Sequence, residues 1–430
     1  MKKISSWGNT VPARYVNSKN LTEQNYSKCK ITEGSLVFGN GRSYGDVCFA
    51  KDLVIFSKDY NRIVSIDEKT GIITCQSGLL FHDLFKEIIP KGWFLPVVPG
   101  TQFITIGGAV ANDIHGKNHH NKGSFGNHVI EIQLQDSQNN IIKCSKNENY
   151  DLFKATVGGL GLTGVILEVK IQLIQLGNTH IEQNITPFYS FSEYLNLNKE
   201  FESDYEYTVA WVDFGNSIDK INGIFISGNH AKKGDNLQYK QRRIRLFPFT
   251  PPISFINNLT VSILNKVYFI KNKKIKNSTV KINKFFFPLD VIHDWNKAYG
   301  KRGLIQYQFV LPLEKVEESV SKIHKKIIES GIKPSLTVLK TFGDIHPEGY
   351  LSFPREGVSF AIDFPNKENK VSNLLNELDK VVFRYGGALY PAKDIRMDKK
   401  MFVHSFPNLQ KFLKSKDPKM NSKFFERIMR

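Results

Sequence analysis

The sequence predicts an α+β protein of two domains, and three observations support this prediction. The 430 residues exceed what a single typical core contains. Over residues 1–175, short strand-like runs are interleaved with only one or two helical patterns, which favours an α+β layer over a regular βαβ winding. Between about 300 and 365, a strand–helix–strand rhythm predicts a second sheet with helices on one face.

Strand patterns in the first domain begin with the apolar run Leu53–Phe56. The runs at 62–66 and 72–75 flank a turn that contains Gly71, so they predict a β-hairpin. Residues 80–89 carry apolar side chains at helical spacing and stop at a proline, which predicts a short helix. Three further strands are predicted at 129–134, 141–144 and 164–174.

The second domain begins with strand patterns at 208–214 and 223–227. A long basic segment then interrupts the pattern until 306–311, where another strand is predicted. Helices are predicted over 316–328 and 371–382, and the second of them ends at two consecutive glycines, as is common at a helix C-terminus. The remaining strands are predicted at Leu336–Phe342 and 359–364.

One glycine-rich segment, 99–128, differs from the rest of the chain. It reads PGTQFITIGGAVANDIHGKNHHNKGSFGNH and holds six glycines and four histidines in thirty positions. Large side chains that could fill a core are scarce in it, so apolar burial cannot offset the entropy lost when it is ordered. We therefore predict that its backbone wraps a ligand. A strand-like run ends at its start, and 105–111 is a candidate helix whose N–H groups face an anion.

The histidines of this segment, at 115, 119, 120 and 128, raise the question of a metal site. They lie among glycines rather than on one face of a regular helix, and no nearby Cys or Glu completes a set of ligands. We predict no metal site.

A second glycine cluster, FGNGRSYGD at 38–46, follows a strand-like run. Its glycines permit the positive φ and the close approach needed when backbone N–H groups surround a phosphate. Arg42 and Ser43 add a charge and a hydroxyl donor. A tight β-turn is an equally good interpretation of this motif alone, and the endings of a Walker loop and of a Rossmann fingerprint are absent. A third cluster lies at 157–164, and together the three clusters predict one long cofactor that crosses several loops.

These motifs resemble the flavin domain of the vanillyl-alcohol-oxidase type, also called PCMH type. Within that group the chain is similar to the decaprenylphosphoryl-ribose 2-oxidases, through HDWNKAYG, LIQYQFVLP, LSFP, IDFP and LYPAKDIR in the second half of the chain. The resemblance implies an FAD-binding domain at 1–175, completed by 388–430. It also implies a substrate domain at 176–387 that has an antiparallel sheet flanked by helices and a basic, mobile insertion at about 230–284.

The resemblance implies FAD bound without a covalent link, because Arg42 stands where many relatives carry the histidine that bonds to the flavin. The implied FAD ligands are Gly39, Asn40, Gly41, Arg42, Ser43, Tyr44, Gly100, Thr101, Gly107, Gly108, Ala109, Asn112, His115, Gly116, Asn118, Gly123, Ser124, Gly126, Val165 and Lys393. The implied catalytic residues are Lys393, which reaches both flavin and substrate, with His115 and Tyr44 near the reacting carbon. The implied substrate ligands are Trp211, Gln306, Gln308, Lys340 and Phe342. The group that removes the hydroxyl proton is left open.

The implied reaction is oxidation of the 2-hydroxyl of a polyprenyl-phosphate-linked pentose to a 2-keto sugar. A short-chain-type keto-reductase partner would complete an epimerisation in cell-envelope polysaccharide synthesis, and oxygen or a quinone would reoxidise the flavin. One alternative is an aldonolactone or alditol oxidase that uses a soluble sugar, and another is a flavoprotein that has lost turnover. Ala361 stands where the family often has the cysteine that nitro-aromatic inhibitors attack, so we predict resistance to such compounds.

The formal charge of +18 is concentrated in one region. Thirteen basic residues and one acidic residue lie between 230 and 284, interleaved with aromatic and aliphatic residues. This pattern favours peripheral contact with an anionic membrane. A solvated basic loop and nonspecific nucleic-acid binding are the alternatives, and we predict no nucleic-acid partner.

Several features bear on the compartment. The sequence shows no membrane span and no apolar signal region at its N-terminus. Cys29, Cys48, Cys75 and Cys144 have no metal or CxxC spacing and are expected to be reduced thiols. We expect a cytoplasmic protein associated peripherally with the inner membrane, with the periplasmic face left open.

Overall fold

The computed structural model describes residues 2–12, 14–217, 220–232, 237–240 and 245–430. The strands of the first part of the chain are β1 (Lys2–Ile4), β2 (Arg14–Asn20), β3 (Ser35–Phe38), β4 (Leu53–Phe56), β5 (Ile63–Asp67), β6 (Ile72–Gln76), β7 (Trp93–Phe94), β8 (Val129–Gln135), β9 (Ile141–Ser145), β10 (Val165–Gln172) and β11 (Ile174–Gln175). The helices of this part are α1 (Phe81–Ile88), α2 (Ile106–Ala111), α3 (His119–Lys122) and α4 (Tyr150–Thr156).

Two sheets organise this part of the chain. The first has the order β1-β2-β4-β3, in which β4 pairs in parallel with β2 and β3. The second is antiparallel, with the order β5-β6-β10-β8-β9. The predicted hairpin of β5 and β6 is confirmed, and Gly71 in its turn has φ of +71°.

The sequence shows a strand-like run that ends at residue 99, but the prediction of a strand is wrong for all except the first residues of this run. Only Trp93 and Phe94 form a strand, β7, which pairs with β11. Pro96 and Pro99 have no N–H to donate, so a β-ladder cannot continue through them. The apolar side chains between these prolines are nevertheless buried, which explains why the run looks like a strand.

The second part of the chain forms one large sheet with helices around it. Its strands are β12 (His180–Phe188), β13 (Tyr207–Ser217), β14 (Lys220–His230), β15 (Arg245–Leu246), β16 (Asn277–Lys281), β17 (Ile292–His293), β18 (Leu304–Leu311), β19 (Leu336–Phe342), β20 (Gly357–Pro365) and β21 (Ala388–Leu389). Its helices are α5 (Phe191–Phe201), α6 (Asn258–Asn272), α7 (Ile282–Phe286), α8 (Val316–Glu329), α9 (Asn369–Arg384), α10 (Lys399–Ser405), α11 (Leu409–Ser415) and α12 (Lys423–Met429).

The eight-stranded sheet has the order β16-β12-β14-β13-β19-β20-β18-β21 and is antiparallel throughout. Apolar side chains of α5, α8 and α9, including Tyr194, Ile323 and Leu378, join one core with the sheet. The α+β class is therefore confirmed. These three helices cover one face of the sheet, whereas α6 packs on the opposite face, where Phe269 contacts the Trp211 side. The opposite face of the sheet is directed towards the first part of the chain.

Helix α6 lies inside the segment for which the sequence predicted only an insertion. Asn257 caps it by accepting hydrogen bonds from the backbone of Leu259 and Thr260. Its apolar side chains occupy several sides of the helix, so the sequence shows no single helical stripe. Of the basic residues counted in this segment, Lys233, Arg242 and Arg243 lie outside the described residues, as does the acidic residue at 235.

The C-terminal helices pack against the first part of the chain. Arg427 of α12 forms ion pairs with Asp46 at 2.9 Å and Asp394 at 3.1 Å, and Ala50 forms a β-bridge with Ser422. These contacts support a first domain of 1–175 that is completed by 388–430, with 176–387 as the second domain, and we keep that division as a proposal. Among the described residues, none of the helices combines the length and hydropathy that a membrane crossing needs.

Candidate active site

A cavity of about 680 Å³ lies between the glycine-rich loops and the free face of the eight-stranded sheet. Pockets that hold ligands typically measure about 300–1,000 Å³. The predicted residues that line the cavity are Gly39, Asn40, Gly41, Arg42, Ser43, Tyr44, Gly100, Thr101, Gly107, Gly108, Asn112, His115, Trp211, Gln306, Gln308, Lys340 and Lys393. The predicted residues that do not line it are Ala109, Gly116, Asn118, Gly123, Ser124, Gly126, Val165 and Phe342.

The loop at 39–44 presents its backbone to the cavity. Gly41 has φ of +61°, a conformation that favours glycine. Asn40 fixes the loop, because its Nδ2 donates to the carbonyl oxygen of Phe103 at 2.7 Å. Within the described chain, the backbone N–H groups of residues 40–43 have no hydrogen-bond partner. Such a row of free donors suits an anionic group such as a pyrophosphate.

Arg42 lies across this loop rather than pointing away from it. Its guanidinium carbon is 4.1 Å from the centre of the Trp7 ring, and its Nε donates to Phe103 O at 3.4 Å. Burial lowers its pKa from the ordinary value, while Asp290 and Asp294 act in the opposite direction. The residue supplies a fixed positive charge and has no nucleophilic atom for a covalent flavin link.

The start of the 99–128 segment forms the next wall. Thr105 caps α2 by accepting a hydrogen bond from Gly108 N at 3.1 Å. Asn112 Oδ1 is buried without a hydrogen-bond partner in the described structure and lines the cavity. A Cβ placed on Gly100 would meet no atom within 4 Å, so this position borders open space. Ala109, by contrast, is turned into the core.

The rest of that segment supports the wall from behind. Asp113 accepts hydrogen bonds from Ser124 Oγ at 2.9 Å and from Gly126 N at 2.8 Å. Asn118 Nδ2 donates to Pro96 O at 2.9 Å. Gly123, Ser124 and Gly126 therefore shape a loop around a buried carboxyl group, which accounts for their conformation without a direct contact to a ligand.

Two other predicted ligands are also displaced from the cavity. A Cβ on Gly116 would lie 2.7 Å from Asn118 Oδ1, so this glycine is packed against its own loop. The Val165 side chain is fully buried in a separate core. Its neighbours Gly164 and Ile166 line the cavity instead, since alternate residues of a strand face opposite sides.

The four histidines of the 99–128 segment lie in different surroundings. His115 lines the cavity, whereas the ring of His119 packs 4.5 Å from the ring of Phe342. His120 Nε2 lies 3.1 Å from the Tyr205 carbonyl oxygen, and His128 Nε2 makes the corresponding contact with the carbonyl oxygen of residue 122 at 2.8 Å. Among the described residues, no three His, Cys, Asp or Glu side chains come together as metal ligands.

Polar side chains on neighbouring strands of the large sheet face the glycine-rich loops. Gln306 and Gln308, two apart on β18, both line the cavity, as the strand period of two requires. Gln306 pairs with Asp363 on β20, and Gln308 pairs with Ala361. The rows continue through β19 to Trp211 on β13. The sheet thus holds hydrogen-bonding side chains in fixed positions opposite the glycine-rich loops. We refer to three of them, Gln306, Gln308 and Lys340, as the grid.

His115 joins the loops to this grid. Gln308 Nε2 donates to His115 Nε2 at 2.9 Å, so the lone pair of that nitrogen is in use. The ring packs edge-on against Phe342 at 4.8 Å, which places Phe342 behind the cavity wall. Burial, with a smaller effect from Lys340, holds the pKa of His115 well below its usual value. The imidazole is therefore neutral at physiological pH.

Two half-buried lysines that line the cavity provide positive charge at the centre of the site. Lys393 Nζ lies 4.1 Å from the centre of the Tyr44 ring. Burial lowers the pKa of Lys393 and of Lys340 to about 8. Both remain mostly protonated at pH 7. Burial also raises the pKa of Tyr44 well above its usual value, so its hydroxyl stays protonated.

Sequence reasoning missed several residues that line the cavity. Asp363 is buried and accepts a hydrogen bond from Gln306 Nε2 at 2.6 Å. The sequence held a signal for it, because Asp363 lies two positions after Ala361 on the same strand and shares its face. Other missed residues include Trp7, Lys117, Asn265, Tyr268, Asp290, Ser359 and Tyr390.

Comparisons with known proteins agree with this geometry. Residues 33–145 match the model of a family described as an FAD binding domain. The chain is 34% identical to decaprenylphosphoryl-β-D-ribose oxidase of Mycolicibacterium smegmatis, over 96% of this chain and 93% of the relative. The chain belongs to this oxidase family. It is an FAD-dependent oxidoreductase that acts on CH–OH groups, as the sequence predicted.

Lactone oxidases are similar over a smaller part of the chain. L-gulonolactone oxidase of Mus musculus is 27% identical over 36% of this chain and 33% of its own length. The Bos taurus enzyme of the same name is 25% identical over 43% of this chain and 41% of its own. The similarity to decaprenylphosphoryl-β-D-ribose oxidase, by contrast, covers 96% of this chain and therefore includes the eight-stranded sheet.

The residues present fit FAD. The free backbone N–H groups of 40–43 and the charge of Arg42 suit a pyrophosphate, and Asn112 Oδ1 is a free acceptor for a ring N–H. Lys393 and Lys340 supply positive charge where a reduced flavin would be anionic. The loops that line the cavity are the ones that the three glycine clusters form.

Ala361 gives a prediction about inhibitors. It lines the cavity beside Gln308, so the site has no thiol at this position. We expect nitro-aromatic inhibitors that act through the family's cysteine to leave the wild type unlabelled and Ala361→Cys labelled once, by intact-protein mass spectrometry. Stoichiometric labelling of wild-type β20 would contradict this prediction. Cys48, which also lines the cavity, is the internal control because burial raises the pKa of its thiol to about 12.

Proposed function

We propose that this enzyme oxidises the 2-hydroxyl of a polyprenyl-phosphate-linked pentose to the 2-keto sugar. The observation that carries the proposal is the grid of Gln306, Gln308 and Lys340 opposite the flavin loops, within a chain that is similar over 96% of its length to an oxidase named for decaprenylphosphoryl-ribose. Paired amides can bind neighbouring sugar hydroxyls, and a lysine can bind a phosphate or a hydroxyl.

FAD, when bound, accepts the hydride from the carbon that is oxidised. The protein's own residues prepare that step. Gln306 and Gln308 orient the sugar from the sheet, and neutral His115 holds Gln308 in place through its hydrogen bond. Lys393, fixed above the Tyr44 ring, stabilises negative charge that develops during the reaction.

The test is flavin reduction without oxygen across a panel of substrates. We expect lipid-linked pentoses to bleach the flavin absorbance and free pentoses, aldonolactones and alditols to leave it unchanged. Reduction by a lactone or alditol alone would favour the soluble-sugar alternative, and no reduction by any member would favour a flavoprotein without turnover. Free FAD with each compound is the control.

Three further features belong to the proposal. FAD is held without a covalent bond, so acid precipitation should leave the flavin in the supernatant. The keto sugar requires a reductase that consumes it, and a short-chain-type partner supplies that step. Oxygen or a quinone reoxidises the flavin, and comparing oxygen with a soluble quinone as acceptor distinguishes them.

Contact with an anionic membrane is the last part of the proposal. The outer face of α6, which we define as Leu259, Ile263, Val267 and Ile270, is exposed although all its residues are apolar. Lys266, Lys271, Lys273, Lys274 and Lys276 lie on or just after this helix. Each such cation contributes about 1 kcal/mol near an anionic surface. We place the enzyme at the inner membrane surface, in the cytoplasm or on the periplasmic face.

The cavity reaches the protein surface beside this helix. Leu264 and Tyr268 of α6 line the cavity, and both are also exposed to solvent. The ring of Tyr268 packs 4.7 Å from the ring of Trp211, at the edge of the sheet grid. A substrate whose lipid lies in a bilayer under the outer face of α6 would therefore enter the cavity without leaving the membrane surface.

The triple variant Leu259→Ser, Ile263→Ser and Val267→Ser tests this contact. We expect at least tenfold weaker binding to vesicles that contain an anionic phospholipid, because each buried side chain contributes more than 1 kcal/mol, with FAD content unchanged. The matched control replaces three exposed apolar residues elsewhere, Val64, Ile141 and Val403, and should bind like the wild type. Wild-type vesicle binding by the first variant would refute the contact.

A further inference from the structure

We propose that the Asp363 carboxylate accepts the proton of the hydroxyl that is oxidised. This inference rests on the proposed function, because it names the base for that reaction. Oxidation of a CH–OH group releases a hydride from carbon and a proton from oxygen, and the O–H electron pair becomes part of the carbonyl. Bound FAD would take the hydride, and a protein group in the cavity can take the proton.

Asp363 has the geometry of such a base. It lies on β20, faces the cavity and is buried. Gln306 Nε2 donates to its Oδ1 at 2.6 Å and fixes the orientation of the carboxylate. Its Oδ2 is buried and has no hydrogen-bond partner in the described chain. One carboxylate oxygen is therefore anchored, and the other retains free lone pairs inside the site.

The other titratable groups that line the cavity are less suitable. Burial lowers the pKa of Lys117 to about 7, but its Nζ donates to the Phe285 carbonyl oxygen. Tyr44 keeps its proton, and Lys393 and Lys340 are mostly protonated at pH 7. His115 is neutral, but its Nε2 lone pair already accepts a hydrogen bond from Gln308, so its Nδ1 carries the proton. Asp290 also lines the cavity, but it accepts a hydrogen bond from Gln102 N at 2.8 Å and neighbours Arg42 on the loop side.

The surroundings of Asp363 set its proton affinity in the useful range. Burial raises its pKa to about 6, while Gln306 and Lys393 act in the opposite direction. Tyr44 and Tyr299 are the other titratable groups that face it, and both stay protonated because burial raises their pKa values. A carboxylate with this pKa is ionised at pH 7 and is a stronger base than an exposed one.

The experiment compares wild-type holoenzyme with Asp363→Asn. With a lipid-linked pentose that reduces the wild-type flavin, we expect the limiting rate of anaerobic flavin reduction to fall about 10²- to 10³-fold. In the wild type this rate decreases as the pH falls through about 6, and the variant should lose that dependence. A variant that keeps the wild-type rate, or keeps the decrease near pH 6, would overturn the proposal.

A second readout requires no turnover. Infrared difference spectra of the substrate-free holoenzyme between pH 5 and pH 8 should show one titrating carboxyl group fewer in Asp363→Asn than in the wild type. Identical spectra would overturn the proposal. A wild-type flavin that no substrate reduces would instead contradict the proposed function, and the spectra would still decide whether Asp363 titrates.

Two further variants control for folding. Asp379→Asn removes a half-buried carboxyl group whose pKa is also raised to about 6 by partial burial. Asp379 lies outside the cavity and pairs with Arg396. It should keep the pH dependence of flavin reduction. If Asp363→Asn loses FAD, Asp363→Glu takes its place: moving the carboxylate should shift the midpoint of the low-pH decrease, and an unchanged midpoint would contradict the role of Asp363.

Discussion

Replacing Lys393 by Met is expected to lower the rate of flavin reduction about 10²- to 10³-fold, the usual effect of removing one charge-stabilising donor from an active site. Lys393 is half-buried and lines the cavity, and its Nζ is held 4.1 Å from the centre of the Tyr44 ring. Its charge is therefore fixed before substrate arrives, and no exposed lysine can replace it. Methionine keeps the length and the packing of the side chain while it removes the charge.

The measurement is anaerobic stopped-flow reduction at saturating substrate, together with the FAD content of each protein. Lys393→Arg keeps a cation in altered geometry and should lose less activity than Lys393→Met. Equal losses in the two variants would mean that shape rather than charge matters at this position. Wild-type reduction by Lys393→Met would remove Lys393 from the mechanism.

The pKa of Lys393 also predicts an alkaline limit. Burial lowers this pKa to about 8, so the charge is present below pH 8 and is lost as the pH rises through it. Wild-type flavin reduction should therefore slow above about pH 8. Lys393→Met should show a smaller decrease, because only Lys340 then loses its charge near pH 8. Together with the acid limit set by Asp363, the wild type should have a maximum between about pH 6 and pH 8. A wild-type rate that stays constant across pH 8 would contradict the alkaline limit.

The sequence predicted the parts of the site that local chemistry determines. The loop at 39–44 has to expose its backbone, and this need is visible as closely spaced glycines at positions 39, 41 and 45. Gln306 and Gln308 share a face because strand side chains alternate, which needs no knowledge of the rest of the fold. The helices α8 and α9 were found for the same reason, since each buries one regular apolar stripe.

The parts that the sequence did not predict depend on contacts between distant segments. Asp363 becomes a candidate base only because β18 places Gln306 beside it in the sheet. Gly126 looked like a flavin ligand, yet its N–H is used by Asp113, thirteen residues earlier. Helix α6 has apolar residues on several sides, because one side contacts the protein and another remains exposed. None of these facts follows from the local pattern of residues.

Replacing Arg427 by Met is expected to lower the free energy of unfolding by about 2 kcal/mol. This lies below the range for a fully buried ion pair, because the Arg427 side chain is 29% exposed. The Arg427 guanidinium bridges Asp46, which follows the 39–44 loop, and Asp394, which follows Lys393. Both carboxylates are mostly buried, with side-chain exposures of 14% and 8%. Without the arginine, two like charges remain close together with little solvent.

The sign of the pH dependence follows from that arrangement. Burial raises the pKa of Asp46 from its ordinary value, and protonation relieves the repulsion in the variant. The difference in stability between wild type and Arg427→Met should therefore shrink as the pH falls from neutral into the acid range. Denaturant unfolding of the FAD-bound proteins, followed by circular dichroism, measures it at each pH.

The same helix offers a matched control. Arg430 of the C-terminus bonds Glu426 at 2.9 Å, but its side chain is 78% exposed, so Arg430→Met should change stability by less than about 1 kcal/mol. Equal effects of the two substitutions would mean that the buried bridge does not hold the C-terminal segment. A large effect of Arg427→Met alone would support the view that Arg427 fixes the turn that carries Lys393 to the segment after the 39–44 loop.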